Sequence, residues 1–427
     1  MTYLSETDPE AYDILQAERT RQRSTLNLIA SENHTTPGVH EATGSVLSDK
    51  YAEGHPNDRW YRGCEAVDRA EQLAIDRAKS LFGAEHANVQ PHSGSTANTA
   101  VYLAALEPGD TLMSMDLAHG GHLSHGLETN YSGIFYKVAS YTVSRSTERI
   151  DMDAVRDLAL KARPRLIIAG ASAYPRIIDF DAFGEIAREV GAYLMSDIAH
   201  IAGLVAGGAH PSPLPASDFV TTTTHKTLRG PRGAIILCRR QYARRIDAAV
   251  FPGLQGGPFM HEILAKAIAL ADAAGPQFAQ YAHQVVANSR ALAETLAEKG
   301  WRLVTGGTDN HLMLVDLRSR DEELTGHVAS GWLDEAGIVC NKNKIPFDSR
   351  PPSQPSGLRL GTPAVTSRGL KEAQMRQLGE WIDQVLSSRG NADVIAKVRG
   401  GVKEMCEEFL APNQRADRPD SATPARR

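Results

Sequence analysis

Cysteine is scarce. Cys64, Cys238, Cys340 and Cys406 are the whole complement of a 427-residue chain, and no two form a CxxC pair. That excludes a disulfide framework, offers no structural zinc motif, and fits reduced thiols in the cytoplasm. Long apolar runs are also missing. None approaches the roughly 20 residues that a bilayer span requires, and the opening stretch Met1–Asp8 is acidic, without the apolar centre of a signal peptide. Positive charge is not in excess either: 46 Lys and Arg against 51 Asp and Glu leave a net −5. Nothing here gives a general footing for nucleic acid or a membrane.

What is present is the composition of a globular protein, 42% hydrophobic and 23% charged. The length suggests one large and one smaller domain. The expected division is an N-terminal helical segment 1–50, a large domain 51–275, a small C-terminal domain 276–410 and a disordered tail 411–427. Helices are expected over Pro9–Arg21, Glu65–Phe82, Asp181–Val190, a long stretch around Ala265–Arg290, Thr325–Ala336 and, as the last, Gly369–Leu386. Strands are expected at Thr111–Met115, Leu166–Ala169, Ala192–Ser196, Asp218–Val220, Ala234–Leu237 and His311–Asp316. Strand and helix alternate through the middle, which implies an α/β fold with a mainly parallel sheet. In such sheets ligands sit at the carboxyl ends of the strands.

The chemistry-bearing stretches fall at those ends. Val220-Thr221-Thr222-Thr223-Thr224-His225-Lys226 reads as a buried strand that delivers a lysine to its mouth. Burial lowers a lysine's pKa and frees its amine to attack a carbonyl. Ser196-Asp197-Ile198-Ala199-His200 ends a neighbouring strand, and Ser172 lies in the loop after another. Ser93-Gly94-Ser95 opens a helix, with free N–H groups suited to a phosphate. His119, His122 and His125 invite a metal reading, but the glycines among them fix no ligand set, and a histidine stacked on a flat cofactor is the better reading. Leu26–Asn33 reads as an apolar step ending in a helix cap at Ser31 or Asn33. Tyr51–Cys64 is a loop whose aromatics and carboxylate suit a binding surface. Phe251–Pro258 is a tight, glycine-rich loop. Arg359, in Gly357–Ala364, is a lone arginine in an apolar segment, for which a substrate carboxylate is the natural partner.

Taken together, Leu28–Asn33, Tyr51–Gly63, Gln90–Asn98, Ala118–Gly126, Ser196–His200, Val220–Lys226, Phe251–Pro258 and Leu358–Ala364 resemble the serine hydroxymethyltransferase family over about residues 10–410. The resemblance implies the pyridoxal-phosphate-dependent transferase fold of type I, aspartate-aminotransferase-like, with a seven-stranded large-domain sheet. It also implies a homodimer, or a tetramer, with active sites shared between subunits. Lys226 would carry pyridoxal phosphate covalently, Asp197 would pair with its pyridine nitrogen, and His122 would stack on the ring. Ser93, Gly94, Ser95 and His225 would hold or border the phosphate, with Tyr51 and Gly257 coming from the neighbouring subunit. Ser172 and His200 would border the phenolic oxygen and the substrate. Arg359, Ser31 and Tyr61 would bind the substrate carboxylate. Glu53 would act as acid and base at the substrate hydroxyl and the folate. Leu117, Gly121, Leu123, Asn343 and Trp60 would line the tetrahydrofolate site. No metal is implied.

The resemblance departs from the family pattern in one loop. His55, Asn57 and Asp58 are unusual, Trp60 replaces the first tyrosine of a pair, and Arg62 replaces a glycine. Tryptophan keeps a flat apolar face but loses the hydroxyl, and Arg62 adds bulk and charge. A paralogue acting on α-methylserine, or a threonine aldolase or transaldolase, would keep the cofactor residues and alter this loop. A non-catalytic binding subunit would have no physical need for Lys226, Asp197, Arg359 and Glu53 together.

Overall fold

The computed structural model describes residues 3–415. Its centre is a seven-stranded sheet in the order His86–Asn88, Ala234–Cys238, Phe219–Thr223, Tyr193–Asp197, Leu166–Gly170, Thr111–Met115, Lys137–Tyr141. The last five run parallel, and Ala234–Cys238 is antiparallel to both its neighbours. Parallel strands need long crossovers, which helices such as Met152–Ala162 and Phe180–Val190 supply. Every residue of Leu166–Gly170, Phe219–Thr223 and Ala234–Cys238 is buried, as strands covered on both faces must be. The α/β, mainly parallel expectation holds. One boundary moves usefully: the strand expected at Ala192–Ser196 is Tyr193–Asp197, so Asp197 is its last residue. Gly170 is paired beside it, and a Cβ there would lie 2.4 Å from the Asp197 carbonyl oxygen. Only glycine lets the two strand ends approach this closely.

A second, antiparallel sheet runs Arg302–Leu303, Leu312–Asp316, Gly357–Gly361, Asn341–Asn343. Its core gathers Leu292, Leu296, Met313, Leu358 and Leu360 together with Leu26 and Leu28. The helix cap expected at Ser31 or Asn33 is therefore a misreading. Leu26–Asn27 is a short strand paired in parallel with Ile338–Val339, and the next helix, Pro37–Thr43, starts after Thr36. The long helical stretch expected around Ala265–Arg290 is two helices, Met260–Ala273 and Pro276–Glu298. Pro276 has no N–H to continue the first, but it suits the first turn of the second.

The C-terminus also differs from expectation. Gly369–Leu386 is not the last helix: Glu372–Ser387 is followed by Ala392–Glu408. Gly400 and Gly401 hid that helix in the sequence. A Cβ on Gly401 would come within 2.7 Å of Trp381 Cζ2, so the glycine permits close helix packing. Nor is the tail disordered from residue 411, since Ala411 is buried and Pro412–Arg415 forms a helical turn. The rest of the expected tail, 416–427, lies outside the described residues. Arg368 locks this end in place, donating to the carbonyls of Gln22, Cys406 and Phe409. Among the described residues no helix is long and apolar enough to cross a membrane.

Candidate active site

At the carboxyl ends of the parallel strands lies a cavity of about 410 Å³. Of the residues singled out in the sequence, it is lined by Ser31, Ser93, Gly94, Ser95, His122, Ser172, Asp197, His200, His225, Lys226 and Arg359. Lys226 follows the strand Phe219–Thr223 and is only 9% exposed. Its ammonium donates no hydrogen bond within the described residues. Burial pulls its pKa down to about 8, with the charge of Asp197 working against that pull. Asn33 fixes the backbone here, its amide donating to the Lys226 carbonyl at 2.9 Å and to the Tyr281 hydroxyl at 2.7 Å.

Asp197 is held on three sides. Its Oδ1 accepts from the Ala199 amide at 3.0 Å, and its Oδ2 from Asn98 Nδ2 and His125 Nε2, each at 2.9 Å. Burial opposes charge on this carboxyl, but the hydrogen bond and charge of His125 and the amide of Asn98 hold it well below the usual carboxylate range. It stays ionised, with one of about four acceptor positions left for the cavity. Thr221 Oγ1 in turn donates to Asn98 Oδ1 at 2.7 Å. Reasoning from sequence assigned no role to Asn98 or His125, although both stand in the stretches that carried the resemblance. The three neighbouring histidines meet three different partners: His119 lies edge-on to Phe347, His122 bonds to Ser124, and His125 bonds to Asp197.

The helix Gly94–Ala105 starts against the sheet, so closely that a Cβ on Gly94 would lie 2.7 Å from Thr223 Cγ2. Ser93 caps it, its Oγ accepting from the Thr96 amide at 3.2 Å and lying 3.0 Å from the Thr96 hydroxyl. The amides of Gly94 and Ser95 make no hydrogen bond within the described residues. Free N–H groups at the positive end of a helix dipole favour an anion. Across the cavity Arg359 donates from Nε to Asn341 Oδ1 at 3.1 Å and from Nη1 to the Ser172 carbonyl at 2.8 Å. Its Nη2 has no acceptor, and no carboxylate pairs with it, within the described residues. Lys226, Arg232, Arg359 and a bare helix N-terminus against the carboxylates of Asp197 and Glu32, the second of which already accepts from Asn27 Nδ2 at 2.6 Å, make a site short of negative charge. A ligand with one phosphate and one carboxylate would balance it.

The buried histidines add to that demand. His200 Nδ1 lies 3.2 Å from His311 Nε2. Burial draws His122 to about 4 and His225 and His311 to about 3. The unfolded chain binds these protons near pH 6.5, and the folded chain only near 4 and below. The stability gained by keeping these rings neutral is full above pH 6.5 and is lost as pH falls below it. Acid unfolding of the cofactor-free protein is thus expected to begin below about pH 6 with uptake of about three protons by these rings. A melting temperature unchanged from pH 7 to pH 4 contradicts this.

The remaining residues lie elsewhere on the chain. Tyr51, Glu53, Tyr61 and Gly257 form a second cluster. The Tyr51 and Tyr61 rings meet edge-on at 5.3 Å, a Cβ on Gly257 would lie 3.0 Å from the Tyr51 ring, and one on Gly256 would lie 2.9 Å from Glu53 Oε1. Arg59, to which no role had been given, anchors this loop. Its Nη1 donates to the carbonyls on either side of Glu53, those of Ala52 and Gly54, and its other nitrogens pair with Asp68 and Glu71 at 2.8 and 2.6 Å. Tyr51, Trp60 and Tyr61 are exposed by 55%, 77% and 46%. Leu117 and Leu123 are exposed on two short turns flanking Gly121, and Asn343 ends the edge strand Asn341–Asn343. Neither group lines the cavity of its own chain.

Comparison with known proteins gives one answer over nearly the whole length. A family model for serine hydroxymethyltransferase matches residues 4–382. A serine hydroxymethyltransferase of Synechococcus sp. is 58% identical over 420 residues, 96% of this chain and 97% of that protein. One of Rippkaea orientalis is 58% identical over 407 residues, 95% of each chain. With a sheet, a buried lysine and an anion-seeking cavity arranged as described, this chain belongs to the serine hydroxymethyltransferase family.

Proposed function

We propose that this protein interconverts serine and glycine, passing the hydroxymethyl group to tetrahydrofolate to give 5,10-methylenetetrahydrofolate, with pyridoxal phosphate as cofactor. The observation that carries this reading is Lys226, buried and without a hydrogen-bond acceptor among the described residues, in one cavity with Asp197, Arg359 and the bare helix start. The donor set fits the cofactor: a carboxylate held ionised suits a ring N–H, and free amides suit a phosphate. When bound, pyridoxal phosphate supplies an electron-poor ring that takes up the electron pair released at the amino acid's α-carbon.

The chain's own groups do the rest. Lys226 would hold the cofactor through its amine, which is neutral above a pKa of about 8. Asp197, fixed by Asn98 and His125, keeps a proton on the ring nitrogen. Ser93, Gly94, Ser95 and His225 would hold the phosphate, His122 the ring, and Ser172 and His200 the amino acid. Arg359, with Ser31 and Tyr61, grips the carboxylate. Glu53 moves the proton of the substrate hydroxyl. Leu117, Gly121, Leu123, Asn343 and Trp60 line the folate. Because the Tyr51–Glu53–Tyr61–Gly257 cluster lies outside the Lys226 cavity of its own chain, with Tyr51 and Tyr61 exposed, it completes the site of a partner copy, and the working form is a homodimer or a tetramer of such dimers. We place this activity in cytoplasmic one-carbon metabolism.

The substrate assignment is tested by giving the holoenzyme serine, α-methylserine and threonine, each with and without tetrahydrofolate. Serine with folate is expected to show the highest kcat/KM; a folate-independent preference for threonine overturns the reading. Burial of Lys226 predicts a second result. Capture of pyridoxal phosphate by the cofactor-free protein needs the neutral amine, so its rate should rise about tenfold per pH unit up to pH about 8 and flatten above it. A midpoint near 10 would mean that Lys226 behaves as a surface lysine.

A further inference from the structure

Lys266 is a buried amine that the reaction does not call on. It sits in the helix Met260–Ala273, behind the sheet edge, and is 2% exposed. Its ammonium donates to three backbone carbonyls: Val89 at 2.6 Å, Ala234 at 3.0 Å and Pro91 at 3.1 Å. An ammonium has three N–H donors and no acceptor, so each is used once. No carboxylate pairs with it within the described residues.

The position of those carbonyls matters. Pro91 lies two residues before Ser93, at the foot of the turn whose amides face the cavity. Ala234 is paired with Thr223, three residues before Lys226, and its amide donates to the Pro91 carbonyl at 3.1 Å. The ammonium therefore joins the segment that feeds the anion-binding turn to the hairpin that carries Lys226. Three carbonyls converging on one buried point repel one another, and without a donor there each would lose this partner, Pro91 keeping only the Ala234 amide. Gly233 makes room: a Cβ on it would lie 2.4 Å from Lys266 Cε and 3.0 Å from Nζ.

We infer that Lys266 is a positioning residue that sets the Ser93–Ser95 turn against Lys226, and so governs affinity for pyridoxal phosphate without touching it. This rests on the reading that the cofactor occupies the cavity. The test is fluorescence titration of full-length, cofactor-free protein with pyridoxal phosphate, comparing wild type, K266M and G233A. K266M keeps the stem and removes the donors; G233A keeps the lysine and displaces it. Both are expected to weaken the cofactor Kd about 10- to 100-fold, while KM for serine at saturating cofactor stays within about twofold, since Arg359 is untouched. In a K266A background, where the stem is gone, adding G233A should change Kd little further. A wild-type Kd in either folded variant overturns the inference, and so does a KM that rises in step with Kd; should K266M not fold, G233A decides. If wild type itself binds no pyridoxal phosphate, the functional reading fails rather than the role of Lys266.

Discussion

Replacing Lys226 with alanine is expected to abolish covalent cofactor and to cut serine turnover by at least about 10²–10⁴-fold, the scale of a lost proton-transfer group, with loss of the covalent attachment in addition. The effect should be this large because no other lysine lines the cavity. The nearest cations are guanidinium groups, which do not give up a proton near neutral pH. Removing a buried ammonium that makes no hydrogen bond within the described residues also spares the fold an unpaired charge, so the variant should fold as stably as the cofactor-free wild type or more so. Borohydride reduction followed by peptide mass mapping is the check: wild type should carry one pyridoxyl group on the peptide containing Lys226, and Lys226→Ala none. A label on another lysine would mean that the site has been misplaced.

The second large effect is expected at Arg359. It is held in position by Asn341 and the Ser172 carbonyl, and burial lowers its pKa only to about 10, so it remains charged. A guanidinium held this way can meet a carboxylate with two parallel bonds. Arg359→Ala should weaken serine and glycine binding by about 2–3 kcal/mol, or roughly 30- to 150-fold, as loss of a charge-assisted bond does. The cofactor Kd should change by no more than about twofold. Arg359→Lys should recover only part of the affinity, because an ammonium cannot reproduce the fork. Equal losses of amino acid and cofactor in Arg359→Ala would make the arginine a structural element.

The legible parts of the molecule were the local ones. Lys226 and Asp197 stand at strand ends, and Ser93–Ser95 at a helix start, so their geometry follows from their neighbours in the chain. The partners that tune them do not. Asn98 and His125 reach Asp197 across separations of 99 and 72 residues, and Asn33 reaches the Lys226 carbonyl across 193. No local pattern encodes such meetings. Leu26–Asn33 was misread for the same reason: its strand finds its partner at Ile338–Val339, and a short apolar step beside Ser and Asn looks like a cap. The final helix failed on different grounds. Gly400 and Gly401 are poor helix formers, but packing against Trp381 outweighs propensity there. Arg59 was visible as a charge in a loop; only the fold shows it gripping both carbonyls that flank Glu53.

One measurement tests the assigned reaction most directly: the fate of serine's labelled hydroxymethyl carbon in the presence and absence of tetrahydrofolate. With folate, the label is expected in 5,10-methylenetetrahydrofolate, one for one with glycine formed, and without folate the rate should fall to background. Glycine formed equally fast without folate, or label released as free formaldehyde while folate stays unlabelled, would contradict it.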